Sequence, residues 1–335
     1  MSPLGICVIG AGDLGTVHAQ SWLTVPDVKL ISVADPLTER SLRNRDRFGF
    51  QAACADHLEA LDMPGIQVVS VAVPSSLHRQ CSEAAMDRGY HVLCEKPIAL
   101  SVEDARAMLA TRDRTGVKLA VGFCKRFMGQ VEKVAELVQE GAIGRPCMYR
   151  FVTGWERRPK LWIMDKDWGG GPVIDLCCHY IDQMRVIFGS DPVRVKAAGM
   201  TLSEGAEELP GVHPEIDTAS FTVEYASGDV GALSLTWGLP RGVKTEQVED
   251  LIGPEGAIKV DGVQQITLLQ RSGAQVFADL GYDMYARQAQ AFAGAIRQDS
   301  PVAASAEDGL LALRVSLAAL ESIRSGEAVA IEKSG

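Results

Sequence analysis

One stretch near the start of the chain, Ile6–Gly15, constrains the fold more than any other. A β-branched apolar run passes into three glycines spaced Gly-x-Gly-x-x-Gly and continues into His18–Leu23, which is able to form a helix. Glycines so placed at a strand-to-helix turn permit a tight bend, a close approach of the backbone to phosphates, and close packing of helix on strand. The helix N-terminus adds N–H groups and a dipole that favours an anion. The stretch predicts a dinucleotide site rather than a glycine turn without a ligand. The predicted cofactor contacts are Gly10, Gly12, Asp13, Leu14 and Gly15.

An acidic residue after the next strand indicates which dinucleotide binds. Val28–Val33 is typical of a buried strand, and Asp35 lies 20 residues beyond Gly15, where a carboxylate accepts hydrogen bonds from an adenosine ribose. Arg40 or Arg43 could instead reach a 2′-phosphate, but the charge of Asp35 would repel that phosphate. The sequence favours NAD over NADP.

Length, composition and charge limit the partners. The 335 residues, 47% of them hydrophobic, are enough for two domains with cores of their own. A net charge of -10 without a dominant basic block argues against nucleic acid and anionic membranes. Met1–Leu4 leaves no room for a signal peptide, and no apolar run reaches membrane-spanning length, so we expect a cytoplasmic protein with a small-molecule substrate. The eight cysteines lack metal-ligand spacing and are expected to be buried thiols.

Strands and helices alternate over the first third of the chain, which predicts a doubly wound parallel sheet. After the strand Val68–Val73, Pro74 ends the ladder at the carboxyl edge, where ligands of such sheets lie. Pro74, Leu77 and His78 are therefore predicted cofactor contacts. The next strand leads into Glu95-Lys96-Pro97. A lysine there can share a proton with a reacting hydroxyl once burial lowers its pKa, although these three residues alone are better explained by a surface lysine before a helix.

A second set of polar residues lies in the predicted helix Val173–Phe188, which follows three glycines and a proline. Asp175, His179 and Asp182 are spaced i, i+4, i+7 and share one face. An imidazole titrates near neutral pH and can accept a hydroxyl proton, while a neighbouring carboxylate orients it; a structural hydrogen bond is the alternative. His179 has no second histidine at i+3 or i+4, so no metal site is predicted.

From Pro192 onward the apolar residues follow a period of two, which predicts a meander of antiparallel strands. Helices would cover one face, and an apolar second face would explain oligomers. Before this region, the loop Trp155–Trp168 combines aromatic and cationic residues. Trp155 and Trp162 suit the apolar face of a sugar, and Arg157, with Arg158 and Lys160, suits a carboxylate or phosphate. Packing of the tryptophans and solvent exposure of the cations is an equally good interpretation.

Four of these stretches together resemble one known family over essentially the whole chain. They are Gly10–Gly15, Val71–His78, Glu95-Lys96-Pro97, and Gly169–Asp182 with its Asp175-x-x-x-His179. The family is that of glucose-fructose oxidoreductase and inositol dehydrogenase, Gfo/Idh/MocA. The resemblance implies a Rossmann domain over 1–123 and, over 124–335, an α/β domain for substrate binding and oligomerisation, built on a large, open, mainly antiparallel sheet. It also implies NAD(P)-dependent oxidation or reduction of sugars and cyclitols by a homodimer or homotetramer.

The resemblance also implies residue roles. Lys96, Asp175 and His179 would be catalytic and would bind substrate, with Glu95 and Lys96 also at the cofactor and Pro97 in the cis form. Arg126 would contact the nicotinamide end or the substrate, although Cys124 replaces the usual asparagine nearby. Tyr282 would reach the substrate, with ordinary packing as the alternative. Two other hypotheses stay open: a redox-neutral relative that returns the hydride to its cofactor, and a nucleotide-sensing regulator.

Overall fold

The computed structural model describes residues 3–158, 160–209, 211–214 and 216–332. The chain divides into two compact units. The first comprises Met1–Cys124 and Asp283–Leu310, and the second comprises Lys125–Tyr282 and Leu311–Gly335. The predicted second domain, 124–335, thus contains a segment that packs with the first unit.

The first unit is built on a six-stranded sheet in the order β3-β2-β1-β4-β5-β6, with all neighbouring strands parallel. The strand order reverses between β1 and β4, which is where open α/β sheets bind ligands. This confirms the predicted doubly wound Rossmann sheet. Along the chain the elements are β1 (Leu4–Ile9), α1 (Asp13–Trp22), β2 (Val28–Ala34), α2 (Thr38–Phe48), β3 (Ala52–Cys54), α3 (His57–Leu61), β4 (Val68–Val71), α4 (His78–Met86), β5 (His91–Cys94), α5 (Val102–Thr115) and β6 (Leu119–Val121).

The central strands β1 and β4 are buried along their whole length, as expected for a parallel sheet with helices on both faces. A buried indole, that of Trp22, belongs to the core on one face and donates a hydrogen bond of 2.8 Å to the Ser70 hydroxyl.

A later helix completes this core. After Tyr282 the chain returns to the first unit as α9 (Met284–Arg297), where the Asp283 carboxylate accepts a hydrogen bond from the Ala286 N–H at the start of the helix. Phe292 and Ala293 of α9 join the same cluster as Trp22. The return of the chain explains why Asp283–Leu310 packs with the first unit, and sequence order alone does not reveal it.

The second unit contains a nine-stranded sheet in the order β14-β13-β12-β11-β7-β10-β9-β8-β15. Its elements are α6 (Gly129–Gln139), β7 (Met148–Glu156), α7 (Gly171–Asp175), α8 (Cys177–Phe188), β8 (Pro192–Met200), β9 (Thr218–Tyr225), β10 (Val230–Leu239), β11 (Val248–Gly253), β12 (Gly256–Asp261), β13 (Gln265–Gln270), β14 (Gly273–Phe277) and β15 (Val329–Ala330). The helix α10 (Ala306–Ser325) precedes β15.

This sheet is mainly antiparallel, as predicted, but it is not a simple meander. The strand β7 lies between β10 and β11, pairing parallel with the first and antiparallel with the second. Alternate residues of β7 face opposite sides of the sheet: Tyr149 and Phe151 are fully buried, whereas Met148 and Val152 are about 40% exposed (39% and 43%). On the buried side α8 packs closely on β10, because Gly231 has no side chain to meet Met184.

The predicted helix Val173–Phe188 is divided at Leu176 into α7 and α8. Proline in the first turn of α7 and the left-handed Gly189 after α8 bound the pair, as the sequence indicated.

Among the described residues, no helix is long and apolar enough to cross a membrane. Nor do these residues contain a group of three or more His, Cys, Asp or Glu side chains arranged to hold a metal ion. All eight cysteines are buried free thiols, and burial raises the pKa of Cys7 to about 12.

Candidate active site

The glycine turn between β1 and α1 shows a different constraint at each glycine. Gly10 has φ +95°, and a Cβ there would lie 2.3 Å from the Ala72 carbonyl oxygen. A Cβ on Gly15 would lie 1.7 Å from the Gly10 carbonyl oxygen. A Cβ on Gly12, in contrast, would meet no atom within 4 Å. The chain itself therefore requires the first and third glycines, and the second leaves open space above the turn at the start of α1.

Two side chains from neighbouring elements hold this turn. The buried carboxylate of Asp35 accepts the Ala11 N–H at 2.8 Å and the Leu37 N–H at 2.9 Å. The Asn44 amide of α2 donates to the Ala11 carbonyl at 3.4 Å and accepts from the Thr16 hydroxyl at 3.1 Å. Asp35 thus lies beside the glycine turn, as predicted, and the sequence analysis missed Asn44. Its position, two turns into a helix rich in arginine, carried no signal.

The other predicted residues of the first unit lie after the ends of the strands β4 and β5. Pro74 and Leu77 are half-buried where the chain leaves β4, whereas His78 is only 1% exposed. Its Nδ1 lies 2.7 Å from the Pro97 carbonyl oxygen and its Nε2 lies 3.0 Å from the Val73 carbonyl oxygen. Burial lowers the pKa of His78, although hydrogen bonding to these carbonyls opposes the effect. His78 therefore joins the ends of two strands, and its predicted contact with the cofactor stays a prediction.

Lys96 is held by buried groups on both sides. Within residues 92–99, all of which the structure describes, it is the one residue that is not buried. On one side Glu95 accepts from His18 Nε2 at 2.8 Å and from the Lys96 N–H at 3.2 Å. On the other side the Lys96–Pro97 peptide bond is cis, as the resemblance implied. Burial by itself raises the pKa of Glu95, but the hydrogen bond and charge of His18, with the charge of Lys96, lower it on balance. The carboxylate is thus an anion that supports the lysine loop.

The second unit contributes Asp175 and His179. Asp175 is the last residue of α7 and is 6% exposed, and His179 lies in the first turn of α8. Within residues 169–184, all of them described, His179 is the one residue that is not buried. His179 is thus the residue of this stretch that keeps partial solvent exposure.

Asp182, which shares the predicted face, has a different partner. Its carboxylate accepts from Nε of Arg126 at 2.7 Å and from Nη2, and both side chains are largely buried. Next to it, Nζ of Lys125 donates to the Tyr180 hydroxyl at 2.7 Å. Arg126 is therefore anchored to α8, and its predicted contact with the nicotinamide end or the substrate stays a prediction.

In the loop Trp155–Trp168, some aromatic and cationic residues have partners within the protein and others are partly exposed. Trp155 is half-buried and stacks on Trp237, with ring centroids 6.3 Å apart and ring planes at 10°. Arg157 donates to the Gly238 carbonyl at 3.0 Å and pairs with Glu208 at 3.1 Å, so its Nη groups serve the fold. Trp162 is half-buried in a 3₁₀ turn. Tyr282 is 46% exposed, and its predicted contact with the substrate stays a prediction.

Two family models match most of this chain. The one described as "Oxidoreductase family, NAD-binding Rossmann fold" covers residues 4–123, and the one described as "GFO/IDH/MocA C-terminal domain" covers residues 131–259. The chain belongs to the Gfo/Idh/MocA oxidoreductase family. This confirms the predicted family and the predicted NAD(P)-dependent oxidoreductase.

Relatives of this Gfo/Idh/MocA protein include two inositol dehydrogenases. It is 28% identical to the myo-inositol 2-dehydrogenase of Thermotoga maritima over 336 residues, covering 98% of each chain. It is 29% identical to the scyllo-inositol 2-dehydrogenase (NAD(+)) of Bacillus subtilis over 333 residues, covering 97% of this chain and 95% of the relative. A solved levoglucosan dehydrogenase in complex with NADH and L-sorbose shares the fold, with a TM-score of 0.88, 23% identity and full coverage of both chains.

The glycine turn of this Gfo/Idh/MocA chain fits NAD. The open space that the missing Cβ of Gly12 leaves lies at the N-terminus of α1, where a pyrophosphate gains from the helix dipole. Asp35 keeps lone pairs for ribose hydroxyls after accepting two backbone N–H groups, and its charge disfavours a 2′-phosphate. Arg40 and Arg43 are exposed on α2. The predicted preference for NAD agrees with this geometry and with the family description.

Proposed function

We propose that the protein is an NAD-dependent dehydrogenase that oxidises a secondary hydroxyl of a cyclitol or sugar, or reduces the corresponding ketone. The observation that carries the proposal is the single imidazole, His179, presented by an otherwise buried stretch of sixteen residues, 169–184. The two inositol dehydrogenases that resemble this chain along its length support the substrate class.

In the proposed mechanism three polar residues act on the reacting hydroxyl and its proton. Bound NAD supplies the acceptor for the hydride that leaves the carbinol carbon. His179 takes the hydroxyl proton as general base, because an imidazole titrates near neutral pH. Asp175 orients the imidazole and the substrate, and Lys96 donates a hydrogen bond to the reacting oxygen and helps to relay its proton. In the reductive direction His179 returns the proton to the alkoxide oxygen.

The remaining predicted contacts complete the proposal. Gly10, Gly12 and Gly15 would hold the pyrophosphate and Asp35 the adenosine ribose. Trp155, Trp162 and Tyr282 offer aromatic faces that suit the C–H face of a sugar ring. The predicted cytoplasmic location stays a prediction.

We also propose that the protein forms a homodimer or homotetramer through the exposed face of the nine-stranded sheet. On this face Met148 pairs with Ile252 and Val152 pairs with Val248 across β7 and β11, and each side chain is about 40% exposed (39–43%). Adjacent exposed apolar side chains of this kind mark interfaces. Val152→Glu should shift the mass measured by light scattering to that of the monomer, whereas Val263→Glu, in an exposed turn, should not.

The test is the absorbance of reduced nicotinamide after purified protein and NAD are mixed with inositols, aldoses, glycosides and sugar acids. Steady NADH formation with one class, lost in His179→Asn, supports the proposal. If protein shown to bind NAD forms no NADH with any compound of the panel, the proposal is contradicted, and the redox-neutral or nucleotide-sensing hypothesis is favoured.

A further inference from the structure

A cavity of about 350 Å³ lies in the second unit, at the C-terminal end of β7. It is lined by Trp155, Glu156 and Arg158 and by Gly242–Lys244, which belong to the connection between β10 and β11. The volume is sufficient for a monosaccharide-sized ligand.

The cavity carries a surplus of positive charge. In the part of the chain that the structure describes, neither the Arg158 guanidinium nor the Lys244 ammonium forms an ion pair with a carboxylate. The lining carboxylate, that of Glu156, accepts a hydrogen bond from the Gly242 N–H. The two cations and the one carboxylate give the lining a net charge of +1. The adjacent Arg157 differs, because its guanidinium pairs with Glu208 and donates a hydrogen bond to the Gly238 carbonyl.

Aromatic rings position the arginine. The Arg158 guanidinium lies 5.4 Å from the Trp155 ring centroid and 5.3 Å from that of Trp237, within the range of cation–π attraction. Trp237 is buried, and its indole N–H has no acceptor among the described residues. A planar guanidinium held against aromatic rings keeps its N–H fork available for a carboxylate. The exposed edge of Trp155 can pack against a carbon skeleton.

We propose that this cavity binds the carboxylate of a polyhydroxylated acid, with Arg158 and Lys244 as the anion ligands and Trp155 against the carbon chain. A net charge of one matches a carboxylate rather than a dianionic phosphate. The inference goes beyond the proposed function by naming a sugar acid as the ligand of this cavity, whose lining includes Trp155 but none of Lys96, Asp175 and His179.

The experiment measures binding to the NAD-loaded protein by calorimetry with three matched probes: a hexuronate, the neutral hexose and the hexose 6-phosphate. The hexuronate should bind about tenfold more tightly than the hexose, the scale of one charge-assisted hydrogen bond. Arg158→Met and Lys244→Met should each remove most of this difference, and Arg241→Met, in the same connection but outside the lining, should preserve it. Thermal unfolding of each variant confirms that it is folded.

Equal binding of hexuronate and hexose, a difference that survives both substitutions, or tighter binding of the phosphate would overturn the inference. The two proposals fail separately. Hexuronate binding that depends on Arg158 without NADH formation contradicts the dehydrogenase and keeps the cavity assignment. NADH formation from a neutral cyclitol, without tighter binding of the hexuronate, supports the dehydrogenase and contradicts the cavity assignment.

Discussion

The two sheets of this protein present functional residues in different ways. In the six-stranded sheet the central strands β1 and β4 are buried along their whole length, and the glycine turn, Asp35 and Lys96 all lie within two residues of a strand end. In the nine-stranded sheet one face is covered, and His179 belongs to a helix that covers it. A parallel sheet collects its functional groups at one edge, whereas the second unit depends on how a helix packs.

Lys96 and His179 nevertheless share one property: each is the partly exposed residue of a buried stretch. If this shared exposure reflects a shared role in catalysis, both residues are needed for turnover. We expect Lys96→Met and His179→Asn each to lower kcat on the order of a hundredfold or more, the scale of acid–base catalysis. Steady-state NADH formation measures the loss, and unchanged thermal unfolding excludes misfolding. Rates near those of the wild type in both variants would contradict the assignment.

Within the first unit, the glycines of the turn between β1 and α1 serve different purposes. Gly12→Ala should leave the fold intact, since its Cβ meets no atom of the chain, but should weaken NAD binding about tenfold or more by occupying the open space. Gly15→Ala should instead destabilise the apoprotein, because its Cβ would meet the Gly10 carbonyl oxygen. Calorimetry with NAD and thermal unfolding separate the two effects. Normal NAD affinity in the Gly12→Ala protein would contradict the assignment of the pyrophosphate site to this turn.

Substitution of His78 tests whether the Lys96 loop depends on the buried contacts of this imidazole with the Pro97 and Val73 carbonyls. His78→Ala leaves the carbonyls of Pro97 and Val73 without this partner, and we expect a loss of about 2 kcal/mol in the free energy of unfolding, with a fall in kcat. His78→Asn, which places an amide near the former Nδ1, should recover part of both. Urea unfolding and turnover measure the effects. A normal kcat in a destabilised His78→Ala protein would reduce its role to stability.

The smallest effect concerns pH. The folded-state pKa of Glu95 lies below its ordinary value of 4.5, so the carboxylate stabilises the fold above that pH, and this contribution declines as the pH falls through the folded-state pKa. The difference in unfolding free energy between wild type and Glu95→Gln should therefore be constant from pH 7 to about pH 5 and shrink below pH 4.5. Urea unfolding at several pH values measures it. A difference that grows on acidification would contradict the charge assigned to Glu95.

The local pattern predicted the first unit well, because each functional residue there follows from a strand end and its turn. The short elements β3 and α3 escaped prediction, since three to five residues carry too little periodicity. In the second unit the alternating pattern predicted strands but not their neighbours. Nothing in the sequence places β7 between β10 and β11, because pairing partners are chosen by packing over long distances along the chain.

The sequence by itself determined the family, the parallel sheet, the glycine turn and the identity of the acid–base candidates, because these depend on spacing over a few residues. Only the tertiary structure decided that α9 returns to the first core, that Arg157 is paired while Arg158 and Lys244 line a cavity, and that His78 and Glu95 support Lys96. The physical reason is that burial and pairing arise from contacts between segments far apart in the chain, and adjacent residues of the same type can meet opposite surroundings.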